Sequence, residues 1–553
     1  MKEKITLLFL ALLFAFIRLP AINFSLHQDE YKWPAVVNPT YVSEIEIPHP
    51  PLGELIYQTA GRVVGFNVHF RFVPLFFGTM NLLLLYYLVR FVYGRREAVI
   101  ASLIWIFSYF SVLASLMVDT DGEIMPFFFL LALIAYFKSR QVTEKEKYKW
   151  LLLLVVSCVM GVFIKLSFLL AIAALLADFL WSKKDGINKK DILRYIVRLG
   201  FAVIGLGALF VLSSKVFPFF NLSQSFAYWE HFGRFNRNWF QTAIQCVKVL
   251  LYASPILVLI PLFGVRLVFQ KSKVFAFFLI FAFLFYIVLF DFSIGALDRY
   301  LQLVILPLTI MSSIIVSHVF EVKSRYSKKF LIFGIAVAVG LVILQFLPHY
   351  VPSLHPKAEW ISRIVGLRWN FLYPFSGGSG PLGFYVSFLF MAIVWIISFG
   401  SLAVSAWKPS FKAAMIAFLI PLGIVYNLVF TEEYLFGRVN GHAPALAVEA
   451  AKFIQNMPEI QKVTVYNDNG GYEVMQTGKY RKRLYVDPKF DLSEKVANLN
   501  KYKEHYFVLD VPKIDPKSVY QKYFDSCRII YKKTDKKMSA IIYDCRNVPD
   551  ITL

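Results

Sequence analysis

The sequence is poor in charge. Only 17% of its 553 residues are Asp, Glu, Lys or Arg, against a hydrophobic share of 58% and a mean hydropathy of +0.58. An average soluble domain is about 25% charged and about 45–50% apolar. The departure excludes an ordinary soluble enzyme, a disordered chain and a fibrous repeat, and indicates an integral membrane protein whose apolar faces meet lipid. Cysteine is also scarce, with 4 residues, which excludes a disulfide scaffold. Internal repeats and low-complexity segments are lacking. Aromatic residues are abundant instead: 56 Phe, 30 Tyr and 10 Trp. So is positive charge, a net +22 from 58 Lys and Arg against 36 Asp and Glu. In a soluble protein that excess would suggest nucleic acid. In a chain this apolar it reads as basic cytoplasmic loops facing anionic membrane lipid, with no nucleic-acid partner.

Crossing a bilayer takes about 20 apolar residues. Runs of that kind lie near 5–22, 72–93, 97–117, 124–137, 150–164, 166–181, 195–213, 242–268, 274–292, 300–320, 330–347, 384–405 and 411–430, about thirteen in all. Basic clusters occupy every second connection: Lys2/Lys4, Arg90/Arg95/Arg96, Lys138/Arg140, Lys183/Lys184/Lys189/Lys190, Arg266/Lys271/Lys273, Lys323/Arg325/Lys328/Lys329 and Lys408/Lys412. The positive-inside rule puts all of them in the cytoplasm. Residues 23–71, 214–241 and 348–383 are then external loops, the N-terminus is inside and the tail is outside. The stretch from Trp150 to Trp181 would reach about 48 Å as one helix, too long for a core about 30 Å thick. Its two flanks are both basic, so it is expected to fold as a hairpin with Lys165 at the external turn. Residues 1–22 have the basic start and apolar centre of a signal peptide, but Arg18, Leu19 and Pro20 interrupt any cleavage site. A retained first span is expected.

The membrane region is expected over residues 1–431 and a small external α/β domain over 432–553. In the tail, short apolar patches at 462–467, 483–486, 506–510, 528–531 and 540–544 read as strands, and 444–457 and 492–502 read as helices. The tail holds 20 Lys and Arg and 16 Asp and Glu, so most of the positive excess lies in the membrane part. Cys527 and Cys545 fall in facing strand candidates on the oxidising side, where a disulfide is plausible.

Charged residues at the external ends of spans carry the chemical information. Asp29 and Glu30 follow the first span directly. A carboxylate held beside a hydroxyl can act as its general base, although a solvated helix cap looks the same in sequence. His49 stands before two prolines in a rigid, non-helical stretch, able to donate to a phosphate, orient a carboxylate or simply serve the loop's structure. The turn Asp119-Thr120-Asp121-Gly122-Glu123 places three acids between two spans; a helix N-terminus and plain solvation are the bland readings. Lys165 and Arg299 are cations expected on the same membrane face, Arg299 also fitting an interfacial anchor. In 214–241, aromatics accompany Glu230, His231, Arg234 and Arg237. They suit sugar stacking and phosphate binding, or an interfacial aromatic belt. The Gly-rich end of 348–383 reads as a gate for substrate or a loose connection.

Taken in order, the acidic pair after the first span, "HPPL" at 49–52, an Asp opening the fourth span, a Lys between two apolar helices and "RYLxxxxLP" at 299–307 resemble the GT-C superfamily. The resemblance is to the dolichyl-phosphate-mannose–protein mannosyltransferase-like bacterial enzymes, a group that includes the lipid A aminoarabinose transferase. It implies the GT-C fold: an α-helical polytopic protein of about thirteen spans, N-in and C-out, with a C-terminal external domain. It also implies a polyprenyl-phosphate-sugar-dependent glycosyltransferase in the cytoplasmic membrane, working at the extracytoplasmic face. On that pattern Asp29 is the catalytic carboxylate with Glu30 beside it. Asp121 is the family's span-four Asp, with Asp119 as the other register. Lys165, Arg299 with Tyr300, and His49 bind phosphate or substrate, a part assigned to Arg234 and Arg237 from the aromatic loop alone. The family's "TKG"-like segment reads "IKLS" here, which keeps the cation and changes the loop. The implied reaction is one inverting displacement at the anomeric carbon, dominated by positioning and neutralisation of the leaving phosphate. The partners are a polyprenyl-phosphate sugar, an acceptor hydroxyl on a lipid, glycan or protein, and membrane lipid. This set requires no cofactor or bound metal; a divalent metal is left open. An oligosaccharide ligase or polymerase would use the same donor level. A transporter would carry central charges and half-to-half repeats, which the sequence lacks.

Overall fold

In a computed structural model of the protein, residues 2–552 are described except for 28–29, 31, 38–47, 65–69, 184–188, 234–237, 272, 292–296, 322–325, 354–357, 376–381, 468 and 485–490. Each of the thirteen apolar runs falls mainly on helix, although residues 384–387, at the start of one, are extended. Among the described residues, eight helices are long and apolar enough to cross a membrane, or up to eleven if three bent helix pairs each count as one span. Two shorter apolar helices, Ile124–Ser139 and Gly200–Val216, cover the remaining two runs.

The bends have local causes. The pair Trp239–Tyr252 and Pro255–Phe263 turns by 95°, where Ser254 is extended ahead of Pro255 at the first helical position. A residue before proline is disfavoured in helical geometry, and proline lacks the N–H that would continue the ladder. The pair Arg95–Phe107 and Tyr109–Leu116 turns by 67° at the extended Ser108.

By compactness the chain divides into two units. One comprises Met1–Ile22, Lys32–Ser327 and Lys408–Ala417; the other comprises Asn23–Tyr31, Lys328–Trp407 and Phe418–Leu553. The second unit takes in the tail together with earlier segments.

In the first unit the expected hairpin is present. The helix Glu144–Ile164 ends at Lys165, whose backbone is extended (φ −161°, ψ 137°), and Leu166–Phe168 forms a 3₁₀ turn ahead of the helix Leu169–Lys183. Gly161 lets the hairpin close: a Cβ there would lie 2.5 Å from three ring atoms of Phe168. The Phe168 ring is itself fully buried. Lys165 stands at the turn as expected, and its side chain there is buried, only 2% exposed.

In the second unit, β1 (Leu372–Phe375), in the stretch read as an external loop, and β2 (Phe384–Ser387), at the start of the run read as a span, form an antiparallel hairpin. The Gly-rich run between these strands lies largely outside the described residues. The tail folds as β3 (Val463–Val465), β4 (Tyr480–Arg483), β5 (His505–Leu509), β6 (Arg528–Asp535) and β7 (Met538–Asp544) in the order β4-β3-β5-β7-β6. β3 runs parallel to β4 and β5, while β7 is antiparallel to β5 and β6. Helices Ala443–Asn456 and Leu492–Lys501 match the expected ones; Gly471–Gln476 and Val519–Asp525 are additional. The strand expected at 483–486 is displaced to β4. That edge strand tolerates Arg481, Lys482 and Arg483 because charge suits a sheet edge, while Leu484 turns into the core. That core is built from Tyr466, Leu499, Tyr506, Tyr523, Phe524 and Tyr543, and Cys527 and Cys545 are disulfide-bonded beside it.

Gly161→Ala should lower the thermal unfolding midpoint of the detergent-solubilised protein, by an overpacking cost of about 1–3 kcal/mol. Adding Phe168→Leu should recover part of the loss. An unchanged midpoint for the single substitution would show that the hairpin does not depend on this contact.

Candidate functional site

The acidic turn between helices Tyr109–Leu116 and Ile124–Ser139 is the centre of the first unit's polar chemistry. It is not solvated: every residue from Met117 to Glu123 is buried. Asp119 Oδ1 accepts a hydrogen bond from Thr120 N at 2.6 Å, and the Thr120 carbonyl accepts from Met125 N at 2.9 Å. Gly122 allows the tight crossing, since a Cβ there would lie 2.7 Å from the Ala114 carbonyl oxygen and 2.9 Å from Gln302 Oε1. Tyr57 Oη donates to the Asp119 carbonyl at 3.1 Å.

Two cations from distant parts of the sequence meet this turn. Lys165 Nζ donates to both Asp121 oxygens, at 2.8 and 2.6 Å. Arg299 Nε lies 2.8 Å from Asp119 Oδ2 and 3.3 Å from Asp121 Oδ2. All four residues are buried. Isolated charges at such depth would cost several kcal/mol each, and pairing with hydrogen bonding is what makes them tolerable. The Tyr300 ring lies against both cations, 4.4 Å from Lys165 Nζ and 5.1 Å from Arg299 Cζ. The Tyr300 hydroxyl is 2.7 Å from that of Tyr228. Tyr286 stacks on Tyr300 at 6.1 Å, and His49 meets Tyr228 edge-on at 5.5 Å.

The two carboxylates differ in protonation behaviour. Burial acts to raise the Asp121 pKa, but Lys165 and Arg299 outweigh it and hold the group below the ordinary aspartate range. Burial raises that of Asp119; Arg299 opposes the rise and Asp121 adds to it. Burial, then repulsion from Lys165, holds His49 well below its ordinary range against the attraction of Asp121. His49 is therefore neutral at pH 7.

Of the residues singled out from sequence, Asp119, Asp121, Lys165, Arg299 and Tyr300 come together directly, and His49 joins through Tyr228. Glu30 belongs to the second unit, where its carboxylate accepts from His27 N at 2.8 Å and closes its own turn. Asp29, Arg234 and Arg237 lie outside the described residues. Among the described residues, no group of three or more His, Cys, Asp or Glu is arranged to hold a metal ion.

Sequence reasoning passed over Tyr228, Tyr286 and a second polar cluster beside the turn. In that cluster Asn81 Nδ2 donates to Glu123 Oε2 at 2.6 Å and to its carbonyl at 2.8 Å. Arg18 donates to Ser115 Oγ at 2.5 Å and to the carbonyls of Phe14 and Ile106. The available signal was a lone arginine closing the first apolar run and a lone asparagine inside the second.

Residues 48–209 match the family model described as dolichyl-phosphate-mannose-protein mannosyltransferase. That stretch is less than a third of the chain, and it contains His49, Asp119, Asp121 and Lys165. The structure of ArnT from Cupriavidus metallidurans in the apo state superposes with a TM-score of 0.57 at 14% identity, covering 99% of this chain and 98% of that one. The same protein bound to undecaprenyl phosphate gives 0.56 at 14% identity with the same coverage. The chain has the GT-C fold. The GT-C resemblance drawn from the motifs is thus borne out at the level of fold. The oligosaccharyltransferase of Archaeoglobus fulgidus superposes more distantly, with a TM-score of 0.43 at 12% identity over 91% of this chain and 69% of that one. No curated protein matches the chain by sequence.

Lys165→Met leaves the Asp121 carboxylate short of its nearest cation, so stability should fall by about 3 kcal/mol. In that variant the Asp121 pKa rises in the folded state, and a raised carboxyl gains stability as pH falls. The thermal midpoint of Lys165→Met should therefore recover between pH 7 and pH 5. Adding Asp121→Asn should recover it at pH 7. A Lys165→Met midpoint equal to wild type at pH 7 would contradict the pairing.

Proposed function

We propose that the protein is a membrane glycosyltransferase that moves a sugar from a polyprenyl-phosphate donor to an acceptor hydroxyl. The observation that carries this reading is the convergence of Lys165 and Arg299 on one buried acidic turn within a GT-C fold. Two cations at one point match the charge of a phosphate that becomes more negative as the glycosidic bond breaks. Fixed cations in a dry site stabilise such developing charge more strongly than water does. The ligand seen in ArnT, undecaprenyl phosphate, supports a polyprenyl phosphate as the donor's lipid.

In the proposed step an acceptor oxygen attacks the anomeric carbon and gives its proton to Asp29. The bond from that carbon to the phosphate oxygen breaks, and its electron pair leaves with the polyprenyl phosphate. One displacement inverts the anomeric configuration. Lys165 and Arg299 receive the leaving phosphate. Asp119 and Asp121 are assigned to holding those cations in place rather than to proton transfer, because both carboxylates are already engaged by them. Glu30 is assigned a similar supporting part, since His27 N occupies its carboxylate. Tyr300, Tyr228 and neutral His49 form an aromatic wall suited to a sugar face, and Arg234 and Arg237 are assigned to substrate. The scheme uses this chain's own residues and needs no metal to balance.

The reaction is assigned to the extracytoplasmic face of the cytoplasmic membrane. The basic connections support that orientation, as does the Cys527–Cys545 disulfide, which suits an oxidising compartment.

The test uses the full-length protein in nanodiscs with a panel of undecaprenyl-phosphate sugars and membrane-extract acceptors. Release of undecaprenyl phosphate should depend on acceptor. Lys165→Ala and Arg299→Ala should each lower turnover by about a hundred- to a thousandfold, the range found for removing one donor to developing charge. Unchanged turnover in both variants would overturn the assignment.

A further inference from the structure

The turn from Asp119 to Glu123 carries the two carboxylates that hold Lys165 and Arg299. Its first and last residues each give their backbone carbonyl to a side chain from another helix. Tyr57 Oη donates to the Asp119 carbonyl at 3.1 Å. Asn81 Nδ2 donates to the Glu123 carbonyl at 2.8 Å and to Glu123 Oε2 at 2.6 Å. All of these residues belong to the first unit.

The same local device delivers both donors. In the helix Pro51–Val64, Gly53 stands one turn before Tyr57, and residues three or four apart share a helix face. A Cβ at Gly53 would lie 2.7 Å from Thr120 Cγ2, so the bare backbone brings this helix against the turn. The Tyr57 ring is fixed by its neighbours Trp33, at 4.6 Å, and Phe70, at 6.1 Å. In the helix Phe72–Val92, Gly78 stands one turn before Asn81. A Cβ at Gly78 would lie 3.2 Å from Glu123 Cδ and 3.0 Å from Ser115 Cβ, so this helix too comes close to the turn through a glycine. Tyr57 and Asn81 are both fully buried, and Asn81 lies within a helix of membrane-spanning length. A polar group in apolar surroundings is costly unless it is hydrogen-bonded. Each donor is therefore tied to its carbonyl by the cost of leaving it.

We propose that Tyr57 and Asn81 are positioning residues: they hold the acidic turn by its first and last carbonyls, and thereby set the spacing of Asp119 and Asp121 and of the two cations those carboxylates carry. This rests on the reading of Lys165 and Arg299 as the receptor of the donor phosphate. A phosphate held by two cations depends on their separation, because charge-assisted hydrogen bonds form over a narrow range of distance. Slack in the turn therefore weakens phosphate binding and slows transfer together, while every group that meets the phosphate is still present.

The experiment uses the full-length protein in nanodiscs. It measures kcat, the Kd for undecaprenyl phosphate and the fraction of protein that binds this lipid at saturation. Tyr57→Phe keeps the ring and loses the hydroxyl; Asn81→Leu keeps the approximate volume and loses the donors. Each should weaken the Kd and lower kcat by about three- to tenfold, the range for losing one hydrogen bond, with the binding fraction unchanged. In an Arg299→Ala background the further effect of Tyr57→Phe on the Kd should shrink below about twofold, because Tyr57 acts on the phosphate through Asp119 and Arg299. Wild-type Kd and kcat in either single variant, with Arg299→Ala impaired, overturn the positioning and leave the receptor reading standing. Wild-type Kd and kcat in Arg299→Ala overturn the receptor reading and the positioning with it. A smaller binding fraction at an unchanged Kd reports a folding role and overturns the inference. A Tyr57→Phe effect that is undiminished in the Arg299→Ala background overturns it as well.

Discussion

The buried pairing of Lys165 and Arg299 with Asp121 and Asp119 is the constraint around which the site is built. In a chain with so few charges, four of them occupy one small volume. Each cation is brought there by a different local device: Lys165 by an extended residue breaking a helical hairpin, Arg299 by a short helix ahead of Gln302–Val304. The carboxylates are delivered by a turn closed around Gly122. Removal of any one charge leaves another uncompensated in a dry environment, which is far more costly than the loss of a surface ion pair. That mutual dependence keeps the two cations together ahead of any ligand, and catalysis gains when charged groups are fixed before the charge they stabilise develops.

The aromatic side chains extend the same arrangement. Tyr300 lies under both cations and passes its contact through its hydroxyl to Tyr228 and on to His49. A neutral His49 adds no third positive charge. Aromatic rings thus lie beside the cations, which fits recognition of a sugar beside a phosphate. Binding a phosphate group there requires the Asp119 and Asp121 contacts to be shared with it, since the same guanidinium and ammonium groups serve both.

Much of the fold was legible because bilayer spans have a strong signal: length, apolarity and alternating basic flanks. The thirteen runs fall mainly on helix, and the Lys165 hairpin followed from a length argument joined to its two basic flanks. The site was legible only as a set of rare charges. Their burial was not legible, because sequence shows that Asp121 and Lys165 both border spans but not that they face each other under cover. Tyr228 and Tyr286 were hidden among many aromatics, since a ring lining a site and a ring facing lipid look alike in sequence. Strand β4 was displaced by three residues because its basic edge position gives no alternating pattern. The allegiance of Asn23–Tyr31 to the second unit depends on contacts across hundreds of residues, which no local pattern reports.

Lys165 and Arg299 are proposed as the receptor of the donor phosphate. A cryo-electron microscopy structure of the full-length protein in nanodiscs with undecaprenyl phosphate tests it most directly. The account requires a phosphate oxygen within about 3 Å of Lys165 Nζ and of the Arg299 guanidinium, the separation of charge-assisted hydrogen bonds. A phosphate bound elsewhere, with the Lys165–Asp121 and Arg299–Asp119 pairs undisturbed and remote from it, would contradict the account.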